Sequence, residues 1–413
     1  MRASIISISS MLFIRLFAIC ISFLNIFLIK HNFLQGSVLI YQTSLSIIVF
    51  LSVFSLFGAE NYIVNRFQSN EKLILFSSLS STLSLSMLVC LITTFCVIQY
   101  LYESFFLSLM VSLLSAGVLL VVVDASIARA KKRFLIFQCL RSLLVQVSLA
   151  LGVIFSLLWL DELRLEVVFC ATCVLVFLLL LFNKAVNVES IFNLVNVFNR
   201  KWELRNLFKS ERMSYFVIAT YASFMMLFDL LLCSMLFPDN DDYVIASRFA
   251  QVLMVLFVVI NNYYSSVFRK LYLEGHYHVL KKKFIESVVL SIVSGSTLFC
   301  VLWFFSLYLA KEYFDVGNSF FNIFILLLIA YLINLLLSVP ITFLLMVDKV
   351  KGALFVTVVS AIVLFLYFIF CDFDVASDVA VLVVVAFGVY KTLALIIAVY
   401  ELSKMKVGDE CFS

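Results

Sequence analysis

Long apolar blocks alternate with short polar stretches along the whole chain. A helix needs roughly 20 apolar residues to cross about 30 Å of hydrocarbon. Runs of that kind predict spans near 5–29, 36–58, 73–98, 104–127, 134–159 and 165–182, then 213–236, 243–268, 285–310, 320–346, 352–371 and 379–400. The run at 165–182 is the weakest, being short and having Glu166 at its mouth. The polar gap 183–212 divides the twelve spans into six and six. Inside it, Val188, Ile191, Phe192, Val195, Phe198 and Trp202 recur at three-to-four spacing, with Glu189, Asn193, Arg200 and Lys201 between them. That pattern predicts an amphipathic helix lying in the membrane interface; a solvated linker is the alternative. The expected organisation is a first six-helix lobe at 1–182, a linker at 183–212, a second lobe at 213–400 and a tail at 401–413. No residue-level repeat relates the two halves.

Composition excludes a soluble fold. Of the 413 residues 64% are hydrophobic and 13% charged, whereas soluble domains carry roughly a quarter charged residues. The expected class is all-α, a polytopic membrane protein of about twelve helices. With 45 Phe, 10 Gly and 2 Pro, kinking residues are scarce, so mostly unbroken helices are expected. At the N-terminus, Arg2 precedes an apolar stretch reaching Ile29, too long for a signal core and without a small-residue cleavage site. A retained first helix is the reading.

The ten cysteines fall in or beside apolar runs, apart from Cys411 in the tail, and read as small hydrophobes. Cys170 and Cys173 have C-x-x-C spacing but sit in a span with no partner pair. His276 and His278 stand in a basic loop without a third ligand. No metal or cofactor is expected.

Charge distribution sets the expected orientation. With the N-terminus inside, the inner segments carry 22 Lys and Arg, the outer loops only Lys30, Arg164 and Lys311. The outer loops are acidic instead, at Asp161-Glu162, Asp239 to Asp242, and Asp372 and Asp374. Both termini are therefore expected in the cytoplasm, and no outer loop is long enough for a domain.

Apart from Glu166 and Glu286 at the mouths of their spans, six charges remain that the loops do not absorb: Arg15, Asp124, Arg141, Asp229, Arg248 and Lys391. Each costs about 2.5–3.5 kcal/mol at mid-helix on insertion scales, and such residues usually face a bundle interior or a water-filled cavity. Asp124 and Arg141 lie near the inner surface on neighbouring spans, Asp229 and Arg248 near the outer surface on neighbouring spans. These four are candidate ion pairs or, for the acids, coupling groups. Arg15 and Lys391 are near the middle of their spans, where snorkelling does not reach. Arg15, Arg141, Arg248 and Lys391 are candidates to line a substrate cavity, and their excess over the two acids favours an anionic solute. Asn25, Gln146, Asn261, Asn262, Tyr263 and Tyr264 are polar neighbours that would add to it.

Four short stretches carry a resemblance. The second span ends Phe57-Gly58-Ala59-Glu60-Asn61 and reaches Arg66; spans four and five are joined by Ala128 to Phe134; the eighth opens Asp242-Tyr243-Val244-Ile245-Ala246-Ser247-Arg248; the tenth ends Pro340 to Gly352. In these, and in helix count and loop length along the whole chain, the sequence resembles polysaccharide flippases of the multidrug/oligosaccharidyl-lipid/polysaccharide exporter superfamily, especially O-antigen and capsule repeat-unit flippases. It departs from their pattern where Asp242 and Asp348 replace glycines. The resemblance implies two six-helix lobes around a central cavity open to one side at a time. It implies, as substrate, an oligosaccharide on undecaprenyl diphosphate, bound by a cationic interior in the bacterial cytoplasmic membrane. The partners it implies are lipid-linked oligosaccharide and membrane lipids, with a polysaccharide polymerase and a chain-length regulator nearby, and no nucleic acid.

Three other classes compete. A membrane-embedded polymerase or acyltransferase would need reactive groups at a membrane face, and this chain lacks long arginine-rich external loops. A drug or cation antiporter of the same superfamily would need acids in the first lobe, yet spans one to three contain no Asp or Glu. A purely structural subunit would have no use for six costly intramembrane charges.

Overall fold

The computed structural model describes residues 2–34, 36–58, 72–131, 133–159, 164–186, 210–238, 240–314, 316–317 and 319–405. Among them the secondary structure is helical throughout. The first helices are α1 (Arg2–Asn32), α2 (Ser37–Ser55), α3 (Lys72–Tyr102) and α4 (Phe105–Ala130). The fifth span consists of α5 (Phe134–Gln138), a π-helical segment (Cys139–Leu144) and α6 (Val145–Trp159). Then follow α7 (Leu165–Val186), α8 (Ser210–Phe224), α9 (Phe228–Leu236), α10 (Asp241–Gln251) and α11 (Met254–Leu273). The chain closes with α12 (Tyr277–Phe314), α13 (Ser319–Leu336), α14 (Val339–Met346), α15 (Val350–Phe370) and α16 (Ala376–Lys404).

Eleven of these stretches are long and apolar enough to cross a membrane, and twelve if α8 and α9, bent by 48°, form one span. All twelve predicted runs correspond to them. Their outward faces carry exposed Phe13, Leu24, Trp159, Phe304 and Phe370, as expected where lipid replaces water as the solvent. The amphipathic helix predicted within 183–212 falls almost wholly at 187–209, outside the described residues.

Contacts divide the chain into two compact units, Met1–Asp241 and Asp242–Ser413. The sequence-based division began the second lobe at 213; by contact, α8 and α9 lie with the first unit, against α2. Aromatic rings make that seam, with Phe54 and Phe57 each 5.3 Å from Phe216.

At the heart of the first unit are α2 and α4, whose apolar windows are 72% and 78% buried. Small polar side chains let helices approach closely in a bilayer. Here Ser52 Oγ donates to the Ile48 carbonyl at 2.6 Å and to that of Ser115 at 3.1 Å, and Cys90 and Thr94 of α3 reach Ser115 Oγ at 3.3 and 3.0 Å. The hydroxyls of Ser52, Thr94 and Ser115 thus each find a partner on a neighbouring backbone or side chain, so these three are not stranded in hydrocarbon. In the second unit α16 packs along α13, α14 and α15.

Gly58 shows why the second span ends as it does. Its φ is +72°, and a Cβ there would come within 2.5 Å of the Phe216 nitrogen. Gly36 has a similar φ of +82° but open space around it. Gly58→Ala therefore combines a left-handed penalty of about 1–2 kcal/mol with an overpacking cost of about 1–3 kcal/mol, while Gly36→Ala bears the first alone. Thermal unfolding in detergent is expected to rank Gly58→Ala well below Gly36→Ala. Equal losses would mean that α8 shifts freely away from α2.

The expectation of mostly unbroken helices is corrected. The fifth span has its π segment, the seventh bends between α8 and α9, the eighth breaks at Val252–Leu253, and the tenth breaks before Val339. Only the last has a proline to explain it: Pro340 sits in the first turn of α14 and has no N–H to give to the preceding turn. At the breaks in the seventh and eighth spans the backbone tightens to i–3 bonding: Leu227 N to Phe224 O at 3.0 Å, and Leu253 N to Ala250 O at 3.2 Å; the π segment of the fifth span instead widens the turn. Glycine and proline content therefore underestimates breaks made by local rewinding.

Candidate functional site

In the first unit, α1 and the fifth span bring two of the predicted cations to one place. Arg15, half-buried on α1, donates from Nη1 to Ser142 Oγ. Ser142 is in the π segment, beside half-buried Arg141. Gln138 Nε2 also donates to Ser142 Oγ, at 2.9 Å. One turn further on, Asn25 Nδ2 of α1 reaches the Gln146 carbonyl at 3.4 Å. Gln138, Ser142 and Gln146 follow one another at four-residue intervals, so they form a polar stripe on the face turned to α1. The π segment also packs against α4, which carries Asp124, only 6% exposed. Asp229 is buried on α9 of the same unit, immediately after the bend at 225–227.

In the second unit, Lys391 is 3% exposed in the middle of α16. Its Nζ lies 5.0 Å from the centre of the Phe257 ring and 5.3 Å from that of Tyr390. Among the described residues it forms no ion pair and no hydrogen bond, so aromatic faces alone stabilise its charge. Asn261, one turn along α11 from Phe257, is 7% exposed with neither end of its amide hydrogen-bonded. Arg248 is half-buried at the end of α10 and donates to Gln251 Oε1 at 3.1 Å. Gln251 in turn donates to the Tyr331 hydroxyl at 3.0 Å and the Ser247 hydroxyl at 3.2 Å. This network stands directly before the break at Val252–Leu253. Of the Tyr263–Tyr264 pair, Tyr264 donates to Glu286 Oε1 at 3.0 Å, a contact between helices.

These charges, amides and hydroxyls bind and orient. No nucleophile is placed beside a base among them, so the arrangement is suited to holding a polar ligand inside an apolar body.

No protein-family model and no curated protein matches the sequence. Solved structures do. A mutant Vibrio cholerae MATE transporter superposes with a TM-score of 0.71 at 10% identity, over 97% of both chains. An outward-facing multidrug resistance MATE family transporter of the MOP superfamily gives 0.69 at 11%, over 97% of this chain and 96% of that one. A MOP superfamily transporter from Pyrococcus furiosus, whose binding pocket has a reverse polarity suggesting a different function, gives 0.65 at 14%, over 97% and 96%. The chain has the fold of MATE transporters. It is a multi-pass membrane protein by its apolar helices and by this likeness to MATE structures.

Several residues in this MATE-type fold escaped the sequence reading. Ser142 and Gln138 carry ordinary side chains, and only their four-residue spacing with Gln146 signalled a face. Phe257 was one phenylalanine among 45. Arg269 counted as an inner-loop cation, yet it is 7% exposed and donates from Nη1 to Asp348 Oδ2 at 2.7 Å and to the Met346 carbonyl at 3.2 Å. Asp242 accepts from Gly317 N at 3.0 Å and Ser319 Oγ at 2.9 Å, tying α10 to the start of α13.

Proposed function

We propose that this protein moves an undecaprenyl-diphosphate-linked oligosaccharide repeat unit across the bacterial cytoplasmic membrane, by alternating access, for assembly of O-antigen or another surface polysaccharide. One observation carries the proposal: Lys391 is buried at mid-span with no acid beside it among the described residues. A cation kept dry at such cost calls for an anion that arrives from outside the protein. The diphosphate of a lipid-linked sugar supplies one, while its isoprenyl tail stays in the bilayer. Arg15, in the first unit, is the second counter-charge; Arg141 and Arg248 line the approaches. The work is binding and release driven by rocking of helical lobes, with discontinuous helices at the binding level, as in other transporters. No bond is made or broken. A polysaccharide polymerase and chain-length regulator are the partners this role would place alongside.

A second reading, a drug antiporter, is favoured by the fold of the solved relatives and by the buried acids Asp124 and Asp229. Proteoliposomes separate the two. The flippase reading expects translocation of undecaprenyl-diphosphate-linked saccharide and no proton-driven uptake of a cationic dye such as ethidium. Dye uptake without lipid translocation would establish the antiporter instead.

A further inference from the structure

We infer that the corner where α11 turns into α12 binds an anionic phospholipid. Its phosphate would be held by His278, Lys281 and Lys282, and an acyl chain would lie along Ile285, Val289 and Val293. Nothing in the site depends on what the protein carries. The corner is tight: Gly275 has a φ of +74°, and His276 N donates to the Leu271 carbonyl at 3.0 Å. From Lys270 to Lys283 the chain holds four lysines and two histidines against one acid, Glu274. Two of those lysines are paired, Lys270 with Glu274 at 3.7 Å and Lys283 with Glu286 at 2.7 Å. Glu286 also accepts from the Tyr264 hydroxyl at 3.0 Å, so its oxygens are occupied. Lys282 acts on Glu286 through space, without contact. Among the described residues, neither Lys281 nor Lys282 makes an ion pair or a hydrogen bond.

Helical register decides what these free cations meet. His278, Lys282, Ile285, Val289 and Val293 follow one another at intervals of four, three, four and four, so they share one face of α12. All five are exposed, and half-buried Lys281 stands one turn before Ile285. The 38 residues of α12 extend about 57 Å at the helical rise, against about 30 Å of hydrocarbon. Its basic first turns therefore stand in the headgroup layer, and the apolar part of the same face runs down into the acyl chains. Tyr272 and Tyr277, whose rings lie 6.2 Å apart across the turn, mark the same level, because tyrosine collects at the membrane–water interface. A soluble acidic peptide or a free phosphate would reach the lysines and leave the stripe beneath them uncovered. Phosphatidylcholine would cover the stripe but bring its own cation against the lysines. An anionic phospholipid matches both parts, with the lysine stems along its glycerol and their ammonium groups at its phosphate.

The test is native mass spectrometry of the full-length protein released from detergent micelles. The probes are phosphatidylglycerol and phosphatidylcholine with the same acyl chains, and glycerol phosphate as the soluble headgroup. Phosphatidylglycerol is expected to bind wild type at least about fivefold more tightly than phosphatidylcholine, since a single lysine near an anionic membrane surface is worth about that factor. In the double variant Lys281→Gln, Lys282→Gln the preference should fall to about twofold or less. Both side chains are free of protein partners, so folding is not the obstacle. Lys281→Arg, Lys282→Arg should keep the preference. Lys311→Gln, an exposed lysine at the far end of the same helix, should leave it unchanged. Equal binding of the two lipids to wild type would overturn the site, as would a preference that survives the glutamine pair. A loss just as large in Lys311→Gln would also overturn it, showing a diffuse response to net charge. Glycerol phosphate bound as tightly as phosphatidylglycerol would make this a soluble-phosphate site and overturn the lipid.

Discussion

Lys391→Met is expected to make the protein more stable and to stop it transporting. A lysine at mid-span costs about 2.5–3.5 kcal/mol on insertion scales. In the wild type the charge is offset only by the faces of Phe257 and Tyr390, and such contacts return about 0.5–2 kcal/mol. The unflexed balance should appear as a gain of roughly 1–2 kcal/mol in the methionine variant. Transport should fall at least tenfold, because a hydrogen bond to a charged group contributes about 1.5–3 kcal/mol. Lys391→Arg should retain a measurable part of the activity, since guanidinium also rests on aromatic faces but holds its anion differently. The measurements are unfolding temperature of the purified protein and appearance of surface polysaccharide in cells, with membrane abundance checked by blot. Loss of stability together with transport would make Lys391 a structural residue. Unchanged polysaccharide would remove it from the substrate path. Arg15→Ala is expected to stop transport as well, but without the gain in stability, because Arg15 is half-exposed and bonded to Ser142.

What could be read from the sequence follows from which physical signals are local. Span positions depend on total hydropathy over about 20 residues, and all twelve runs appear as helices. Lys391 and Arg15 were visible because a charge amid apolar residues is conspicuous at any distance in sequence. Their surroundings were not. Phe257 is more than a hundred residues from Lys391, and Ser142 is 127 from Arg15. No local rule pairs such positions. The breaks at 225–227 and 252–253 were hidden for a different reason: they are made by tightened hydrogen bonding in ordinary residues, which leaves composition unchanged. Likeness at 10–14% identity carries the fold and leaves the ligand open; the reading of the ligand rests on the chain's own charges. The two departures from the flippase pattern gained the most. Asp242 and Asp348 looked like lost glycines; each is a carboxylate holding two elements of the second unit together.

Asp348 gives the larger effect on stability. It adopts φ +59°, a conformation that suits glycine and that asparagine and aspartate tolerate best among the rest. Its carboxylate meets Arg269, whose side chain is 8% exposed against 45% for Asp348. The asymmetry decides which half of the pair matters more. Removing the acid leaves a buried cation with, among the described residues, only the Met346 carbonyl to receive it. Removing the arginine leaves an acid that water can reach. A buried pair broken on one side costs about 3–5 kcal/mol, and partial exposure of Asp348 should reduce this to about 2–3 kcal/mol for Asp348→Ala. Asp348→Gly loses the same ion pair but relaxes the backbone, so it should be more stable than the alanine variant by about 1–2 kcal/mol. Asp348→Asn keeps both the backbone tolerance and a neutral acceptor, and should also lie above alanine. Arg269→Met should cost less than Asp348→Ala. Unfolding temperatures of the four variants test the order directly. If Arg269→Met proves the most damaging, the packed stem of the arginine outweighs its charge. If glycine and alanine are equal, the left-handed backbone at 348 carries no strain, and the aspartate stands there for its charge alone.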